Sequence, residues 1–260
     1  MSYVFSGKEP AAIRLGKLHE LFFPATKNFL QHQITNRVDT VVDLGCGVGH
    51  TTRALCSIVK ADEYVGLDNS EYFIERAKEL SKDFPKITYK LHDVSKIPFP
   101  AKKADIIYSR FLLTHMRTPK RSTRDWSTQL NNGGLLFIED TEDIKTEVPV
   151  FKEYVKITDA LLRANGNVLF IGKMLDEWEY EGKLKKKYSD VARVPASTKQ
   201  AAEIFLLNIP SWKDVEFIKE NYYDDIQRIE AELKEMVKAS DDTKTIEWEI
   251  RQVVFTNKRT

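Results

Sequence analysis

Runs of consecutive apolar residues alternate along the chain with stretches in which apolar residues recur every three or four positions. The first run, Val38 to Leu44, is rich in β-branched residues and is typical of a strand covered on both faces in a parallel sheet. Similar runs predict strands at 63–68, 87–93, 104–109 and 135–140. The stretches that follow the first, second and fourth strands show helical spacing. This alternation predicts a parallel sheet with helices on both faces.

The segments outside this core show mainly helical patterns. Residues 10–23 predict a helix that Pro24 ends, and a second short helix follows through residues 29–34. Further helices are predicted at 151–165 and 174–180, and a helix at 118–130 carries Trp126 and Leu130. A strand is predicted at 183–194, helices within 196–242, and a last strand at 248–255.

Composition favours one globular domain spanning residues 1–260. The 40 Lys and Arg residues almost cancel the 39 Asp and Glu residues, so the overall charge gives no attraction to nucleic acid. Two cysteines, Cys46 and Cys56, indicate neither a disulfide framework nor a metal cluster. Since no leader pattern or long apolar segment is present, we expect a cytoplasmic monomer or homodimer without membrane insertion.

A glycine-rich turn follows the first strand in the segment from Asp43 to His50, which reads DLGCGVGH. Glycines at alternate positions permit positive φ angles and leave no Cβ between the loop and a ligand. The helix that follows directs its N-terminal N–H groups toward the loop, where they can bind an anion. The dinucleotide-binding fingerprint has glycine at the position of His50, so the turn differs from that of typical dehydrogenases.

Two further acids stand where predicted strands end. Asp68 follows Asp43 by 68 − 43 = 25 positions, which is the length of a strand-helix-strand unit. An acid at this edge of a doubly wound sheet can accept both hydroxyls of a ribose, and Asp68 could equally cap the next helix together with Asn69 and Ser70. Asp93 ends the third strand, where it could contact a ligand or simply turn the chain.

The sequence contains, in this order, the glycine turn, the two acids, a loop carrying Phe111 after the fourth strand, and Gly133-Gly134 before the fifth. The order of these features resembles that of class I S-adenosylmethionine-dependent methyltransferases of the small-molecule type. The resemblance covers about residues 38–140. It implies an α/β fold in three layers, with a doubly wound, mostly parallel seven-stranded sheet and an antiparallel last strand. N-terminal helices at 1–36 would cover a cofactor-binding core at 37–145, and a helical insertion at 196–242 would form a lid.

The resemblance also implies S-adenosylmethionine as the cofactor and S-adenosylhomocysteine as its product. It assigns the ribose to Asp68, and the adenine to Asp93 together with the backbone beside it. The predicted cofactor-binding residues are Asp43, Gly45, Cys46, Gly47, Gly49, Asp68, Asn69, Asp93, Val94, Ser109 and Arg110.

Candidate acceptor and catalytic residues carry weaker patterns. His115 follows the fourth strand and is the candidate general base. The alternatives are that it shapes the loop or binds the cofactor through its backbone. The predicted acceptor contacts are Tyr3, Arg14, Phe111 and Trp212, and the alternative is that the N-terminal helix and the aromatic residues only pack against the sheet. No metal is expected, because the fourth strand ends in Ser109 and Arg110 rather than in the acid that a catechol-type metal site needs.

The methyl acceptor is expected to be a small molecule, and its methylated atom could be oxygen, nitrogen or carbon. The tetrad of amino-group methylases that act on nucleic acids is missing after the fourth strand. Two other classes stay open. One is a non-catalytic S-adenosylmethionine-binding module, and the other is a nicotinamide-dependent oxidoreductase, against which His50 counts.

Overall fold

The computed structural model describes residues 8–258 and has a seven-stranded sheet at its centre, in the order β3-β2-β1-β4-β5-β7-β6. Of the described strands, β7 alone runs in the direction opposite to the other six. The predicted mostly parallel sheet with an antiparallel last strand is therefore confirmed. The strands are β1 Val38–Leu44, β2 Ala61–Asp68, β3 Ile87–Leu91, β4 Ala104–Arg110, β5 Leu130–Thr146, β6 Leu184–Ser197 and β7 Lys244–Asn257.

Helices precede the sheet, connect its strands and form most of the chain between β5 and β7. None of those described is long and apolar enough to cross a membrane. They are α1 Lys8–Gln33, α2 His50–Ile58, α3 Glu71–Leu80, α4 Pro119–Ser127, α5 Pro149–Ala164, α6 Ile171–Glu177, α7 Thr198–Leu206, α8 Ile209–Trp212, α9 Glu216–Asn221 and α10 Tyr223–Ala239, and a single 3₁₀ turn occupies Leu113–His115.

Alternate residues of the central strands face two separate apolar layers, as the period of a strand requires. Val41 of β1 packs with residues of α1 and α2 on one face. Its neighbour Val42 packs on the other face with Trp126 of α4 and Leu175 of α6. Both faces are covered by helices, which explains why the strand sequences are nearly continuous apolar runs.

A further apolar cluster joins α5 to the helices between β6 and β7. Tyr154 of α5 stacks on Phe205 of α7 and on Trp212 of α8, with ring centroids 3.9 and 4.8 Å apart. Ile229 of α10 is buried in the same cluster. The predicted helical segment is therefore packed together with α5, and its role as a lid stays a prediction, as do the boundaries of the domain and its parts.

The prediction that Pro24 ends the first helix is wrong, because α1 continues through it to Gln33. Proline removes one helical hydrogen bond and clashes with the preceding turn, at a cost of about 3 kcal/mol or more. Buried contacts on both sides of the proline oppose this cost: Phe22 packs in the cluster of α5 and α7, and Phe29 packs against the sheet.

The boundary between α4 and β5 also differs from the prediction. The helix ends at Ser127, and Leu130 belongs to β5 rather than to the helix. Gly133 and Gly134 lie inside this strand instead of turning the chain before it. Both β5 and β7 are longer than predicted because they pair with each other from Leu135 to Thr146.

A buried carboxylate ties the N-terminal helix to three strands. Thr26 of α1 donates a hydrogen bond to Glu139 Oε2 at 2.7 Å, and the Tyr108 hydroxyl donates to the same oxygen. Gln252 Nε2 donates to Glu139 Oε1 at 2.6 Å. Because all four residues are buried, the carboxylate satisfies donors that would otherwise have lost water without replacement.

We expect Glu139→Ala to lower the free energy of unfolding by about 2–4 kcal/mol, because Thr26, Tyr108 and Gln252 would each lose a buried acceptor. Urea denaturation measures the change. Glu147→Ala, at an exposed glutamate that contacts Lys152, is the matched control and should change the value by less than about 0.5 kcal/mol. Equal effects of the two substitutions would contradict the structural role of the network.

Candidate active site

The carboxyl ends of β1, β2, β3 and β4 meet α1, α5 and α7 around a cavity of about 500 Å³. This volume suits a small-molecule site. The cavity lies beyond the carboxyl ends of the parallel strands, where open α/β sheets bind their ligands. The position of each residue predicted to bind a ligand is therefore given relative to this cavity.

The glycine loop between β1 and α2 forms part of the cavity lining. Gly47 has a φ of 52°, and a Cβ placed on it would lie 2.8 Å from Leu15 Cδ1 of α1. A larger residue would therefore be strained at this positive φ and would also push the Leu15 side chain aside. The loop closes on α2 through Gly49, which precedes the helix with a φ of 79°.

Asp43 anchors this loop from below and does not line the cavity. Its Oδ2 accepts hydrogen bonds from the hydroxyls of Thr51 and Thr52, each at 2.6 Å. Burial raises the pKa of Asp43 to about 6, although the two hydroxyl bonds act in the opposite direction. The residue therefore orients the first turn of α2 rather than contacting a ligand directly.

Asp68 ends β2 and lines the cavity. The Gly47 N–H donates to its Oδ2 at 2.9 Å, and the Ser70 N–H donates to its Oδ1 at 2.9 Å. Ser70, and not Asp68, caps α3, because its hydroxyl accepts from the Phe73 N–H at 3.3 Å. Burial raises the pKa of Asp68. Its carboxylate is thus held in place at the wall of the cavity with lone pairs available to a ligand.

The loop after β3 brings Asp93 and Val94 to the same wall, and Asn69 lines it as well. Asp93 Oδ1 accepts from the Ser95 N–H at 3.0 Å and from the Ser95 hydroxyl at 2.7 Å. The Val94 carbonyl accepts from the indole of Trp126 at 2.8 Å. Asp93 therefore turns the chain and also faces the cavity. The two roles considered for it from the sequence, turning the chain and contacting a ligand, are compatible.

The remaining predicted residues divide into two groups. Ser109 is fully buried and does not line the cavity, and the same holds for Trp212, which lies behind the ring of Tyr154. A direct contact of Trp212 with an acceptor is therefore not supported. Tyr3 lies outside the described residues. The predicted residues that do line the cavity are Arg14, Gly45, Cys46, Gly47, Asp68, Asn69, Asp93, Val94, Arg110, Phe111 and His115.

Two ionisable groups face the cavity from the β4 and β5 side. Burial and the positive charge of Arg14 lower the pKa of His115 to about 4. Burial raises the pKa of Asp140 to about 7, even though the N–H groups of Thr141 and Leu113 each donate to its carboxylate at 3.0 Å. A neutral imidazole and a carboxyl that titrates near neutrality therefore lie in one site.

The inner face of α1 covers the glycine loop with neutral rings. His19 stacks on His50, with ring centroids 5.3 Å apart. Burial lowers the pKa of His19 to about 3 and that of His50 to about 4, so both are uncharged at neutral pH. Arg110 Nη1 donates to Thr26 Oγ1 at 3.2 Å. These contacts support an N-terminal helix that closes one side of the cavity.

Some lining residues were not identified from the sequence. Tyr154 and Asn208 reach the cavity from α5 and from the turn after α7, and no motif marked either position. Asp140 ends the predicted fifth strand, so its place at the sheet edge was the available signal. Within residues 8–258, no group of three or more His, Cys, Asp or Glu side chains could hold a metal ion.

Comparison with known proteins finds similarity to methyltransferases over part of the chain. The model of the methyltransferase domain family matches residues 42–138. The chain is 34% identical over 115 residues to the 235L protein of Invertebrate iridescent virus 6, and the match covers 44% of this chain and 42% of that protein. It is 30% identical over 125 residues to the ubiquinone biosynthesis O-methyltransferase of Coxiella burnetii, covering 48% of this chain and 52% of the relative. The matches thus span about half of these relatives or less.

Solved structures extend the similarity of the fold to nearly the whole chain. Phosphoethanolamine N-methyltransferase 2 of Haemonchus contortus, solved with S-adenosylhomocysteine, superposes with a TM-score of 0.60 at 16% identity and covers 100% of this chain and 61% of its own. Coclaurine N-methyltransferase, also solved with S-adenosylhomocysteine, gives 0.53 at 19% identity over 90% and 72% of the two chains. At these identities the likeness establishes the fold.

The raised pKa of Asp43 predicts a specific dependence of stability on pH. The folded protein holds this proton more tightly than the unfolded chain, so stability from this group is lost as pH rises through about 6. Asp43→Asn keeps an oxygen acceptor for Thr51 and Thr52 but does not ionise. The stability of the wild type relative to this variant should fall by about 3 kcal/mol between about pH 4 and pH 7.

Urea denaturation at a series of pH values measures this difference. Asp83→Asn changes an exposed loop aspartate and should give a stability difference that stays constant over the same range. A constant difference for Asp43→Asn as well would show that the buried carboxyl is not the origin of the effect.

Proposed function

We propose that this chain, whose residues 42–138 match the model of the methyltransferase domain family, transfers a methyl group from S-adenosylmethionine to a small-molecule acceptor. The position of Asp68 carries the proposal: a carboxylate at the end of β2 is held by the glycine loop and lines the cavity. We infer a small-molecule acceptor because the cavity of about 500 Å³ must hold the acceptor together with the cofactor.

The residues around the cavity fit this cofactor. Asp68 can accept hydrogen bonds from ribose hydroxyls, because its two oxygens each receive one N–H and retain further lone pairs. Asp93 and the backbone at Val94 line the wall next to it and suit the adenine. Gly45 and Gly47 expose the backbone of the loop to the cavity and suit the methionine end, and Asn69 and Arg110 line the same cavity. Cys46 lies in the same loop, and its buried thiol has a raised pKa, so it contributes packing rather than chemistry.

Three residues of the predicted cofactor set act indirectly in this proposal. Asp43 holds the first turn of α2 through Thr51 and Thr52. Gly49 lets the chain enter that helix. Ser109 lies at the buried end of β4, next to Leu44 of β1 in the sheet register. Their contribution is to fix the shape of the loop, and substitutions at these positions should affect binding through that shape.

The sulfonium of the bound cofactor supplies an activated methyl group with a good leaving group. The task of the protein is therefore to align the acceptor atom and to exclude water. Such positioning can lower a barrier by roughly 7–11 kcal/mol. The N-terminal helix closes the site with Leu15 over Gly47 and the stacked pair His19 and His50, and Arg14 and Phe111 line the space beside it.

His115 is the proposed general base for an acceptor that must lose a proton. It lines the cavity, and its pKa of about 4 keeps the imidazole neutral at physiological pH and able to accept a hydrogen bond. Asp140 lies in the same wall but is held by N–H groups on both oxygens, which suits a role in shaping the loop from Leu113 to His115.

The two alternative classes are less well supported. A typical nicotinamide-binding sheet has the order 3-2-1-4-5-6, whereas this sheet inserts the antiparallel β7 between β5 and β6. A non-catalytic cofactor-binding module needs no second chamber, whereas this cavity extends past the glycine loop to α5 and α7. A cytoplasmic enzyme without nucleic-acid substrates agrees with the two unpaired cysteines and the net charge of +1.

Asp68→Ala should weaken binding of S-adenosylhomocysteine by about 10- to 100-fold, because hydrogen bonds to a charged group contribute about 1.5–3 kcal/mol. Titration calorimetry of wild type and variant measures this loss. Asp83→Ala, at an exposed loop position, should bind like the wild type. NADH serves as the competing ligand, and saturable binding of NADH without binding of S-adenosylhomocysteine would transfer the assignment to the oxidoreductase class.

Incubation of the protein with a metabolite extract and methyl-labelled S-adenosylmethionine should transfer label to a small molecule. His115→Gln should lower the initial rate by about 100-fold or more, the usual contribution of a general base. His32→Gln, which changes an exposed histidine near the end of α1, should leave the rate unchanged. Binding of S-adenosylhomocysteine without any transfer of label would favour the non-catalytic module, and an unaltered rate for His115→Gln would exclude its role as the base.

A further inference from the structure

One end of the cavity is built by elements that do not belong to the glycine loop or to the acidic edge of the sheet. We call this end the acceptor chamber and define it by Phe22, Tyr154, Ile204, Phe205, Asn208 and Trp248, which all line the cavity. They come from α1, α5, α7 with the turn after it, and β7. Because the cofactor-binding residues proposed above lie on other elements, the chamber is the place for the methyl acceptor.

Aromatic rings form a continuous wall in the chamber. Tyr154 and Phe205 stack with centroids 3.9 Å apart and an interplanar angle of 17°. Trp248 contacts both Phe205 and Phe22, at 5.7 and 6.0 Å, and Phe22 meets Phe111 at 4.9 Å. Because Phe205 and Trp212 both stack on the Tyr154 ring, the edge of this ring is left for a ligand. Ring edges favour the face of a planar aromatic partner.

A single buried amide interrupts this wall. Asn208 is 7% exposed, and its Nδ2 donates to the Tyr154 hydroxyl at 2.6 Å. The carbonyl Oδ1 of the same amide is buried and has no hydrogen-bond partner among the described residues. A buried polar atom without a partner costs about 1–3 kcal/mol. A ligand in the chamber that donates an O–H or N–H to this oxygen would recover that cost.

The charge of the chamber restricts the ligand further. Among the described residues that α1, α5, α7 and β7 contribute to the cavity lining, Arg14 is the charged one. Its positive charge adds to the effect of burial in lowering the pKa of His115, and it opposes the rise that burial causes in the pKa of Tyr154. Asp140 of β5 also lines the cavity, but burial raises its pKa to about 7, so its negative charge offsets that of Arg14 only in part. The remaining positive charge disfavours a cationic ligand and tolerates a neutral or anionic one.

We propose that the methyl acceptor is a planar, largely apolar molecule without positive charge, whose hydroxyl or N–H group donates a hydrogen bond to Asn208 Oδ1. Asn208 is then a specificity-determining residue, held in position by Tyr154. The inference rests on the proposed methyltransferase function, because it assigns the chamber to the acceptor. It excludes ammonium compounds as acceptors that bind in their charged form.

Three matched aromatic probes test this inference on protein saturated with S-adenosylhomocysteine. The first is para-hydroxyphenylacetate, the second is phenylacetate, which lacks the donor, and the third is para-hydroxybenzylamine, which replaces the carboxylate with a cation. Titration calorimetry should show that the first binds at least about tenfold more tightly than each of the others. Phenylacetate leaves the buried amide oxygen unpaired, against which such a site discriminates strongly, and the cation of para-hydroxybenzylamine is repelled by Arg14.

Two variants assign the discrimination to the amide. Asn208→Leu keeps a similar side-chain volume without polar atoms, and it should reduce the preference for the hydroxyl over the unsubstituted ring to within about threefold. Tyr154→Phe keeps the ring wall but removes the hydroxyl that holds the amide, and it should reduce the same preference. Asn221→Leu, at an exposed asparagine that bonds to the carbonyl of Phe217, should leave the preference unchanged.

Equal binding of the three probes, tighter binding of the cation, no binding of any probe, or a preference that survives in Asn208→Leu would each overturn the inference. Titration of S-adenosylhomocysteine alone separates these results from a failure of the proposed function. All the variants should retain the wild-type affinity for that ligand, because none of the changed residues lies on the glycine loop or the acidic edge. If the wild type does not bind it, the proposed function fails, and the inference fails with it.

Discussion

The hydrogen bond from the Gly47 N–H to the Asp68 carboxylate joins the glycine loop to the end of β2, and the cavity floor depends on it. The bond requires β1 and β2 to be neighbours in the sheet, which the register places at Leu44 and Leu67. It also requires a loop that tolerates the positive φ of Gly47. Asp43 completes the arrangement from below by fixing α2, so one buried and one cavity-facing carboxylate share the task of shaping the loop.

The wall opposite this floor is set by a second buried acid. Glu139 holds Thr26 of α1 against β4, β5 and β7, and this attachment places the helix across the glycine loop. The continuation of α1 through Pro24 follows from the same packing, since contacts on both sides of the proline are buried. The N-terminal helix is thereby a fixed part of the cavity, and Arg14 and Leu15 reach the site from it.

The sequence was sufficient for those parts of the structure whose cause is local. Strands buried on both faces were recognisable from apolar runs, and Asp68 and Asp93 from their positions at strand ends. Residues brought in by tertiary packing were not recognisable: Asn208 and Tyr154 lie 54 positions apart and meet only because α5 packs on α7. In the same packing, Trp212 lies behind Tyr154 and does not reach the cavity. The path of α1 through Pro24 could not be predicted for the same reason, because the buried contacts that oppose the helix-breaking tendency of proline come from distant parts of the chain.

A crystal structure of the protein grown with S-adenosylhomocysteine tests the central claim most directly. The account predicts the ribose hydroxyls within hydrogen-bond distance of the Asp68 carboxylate, the adenine beside Asp93 and Val94, and the sulfur facing the chamber that contains Asn208. Ligand bound elsewhere, or bound in the cavity with its ribose away from Asp68, would contradict the claim that the glycine loop and this acid form the cofactor site.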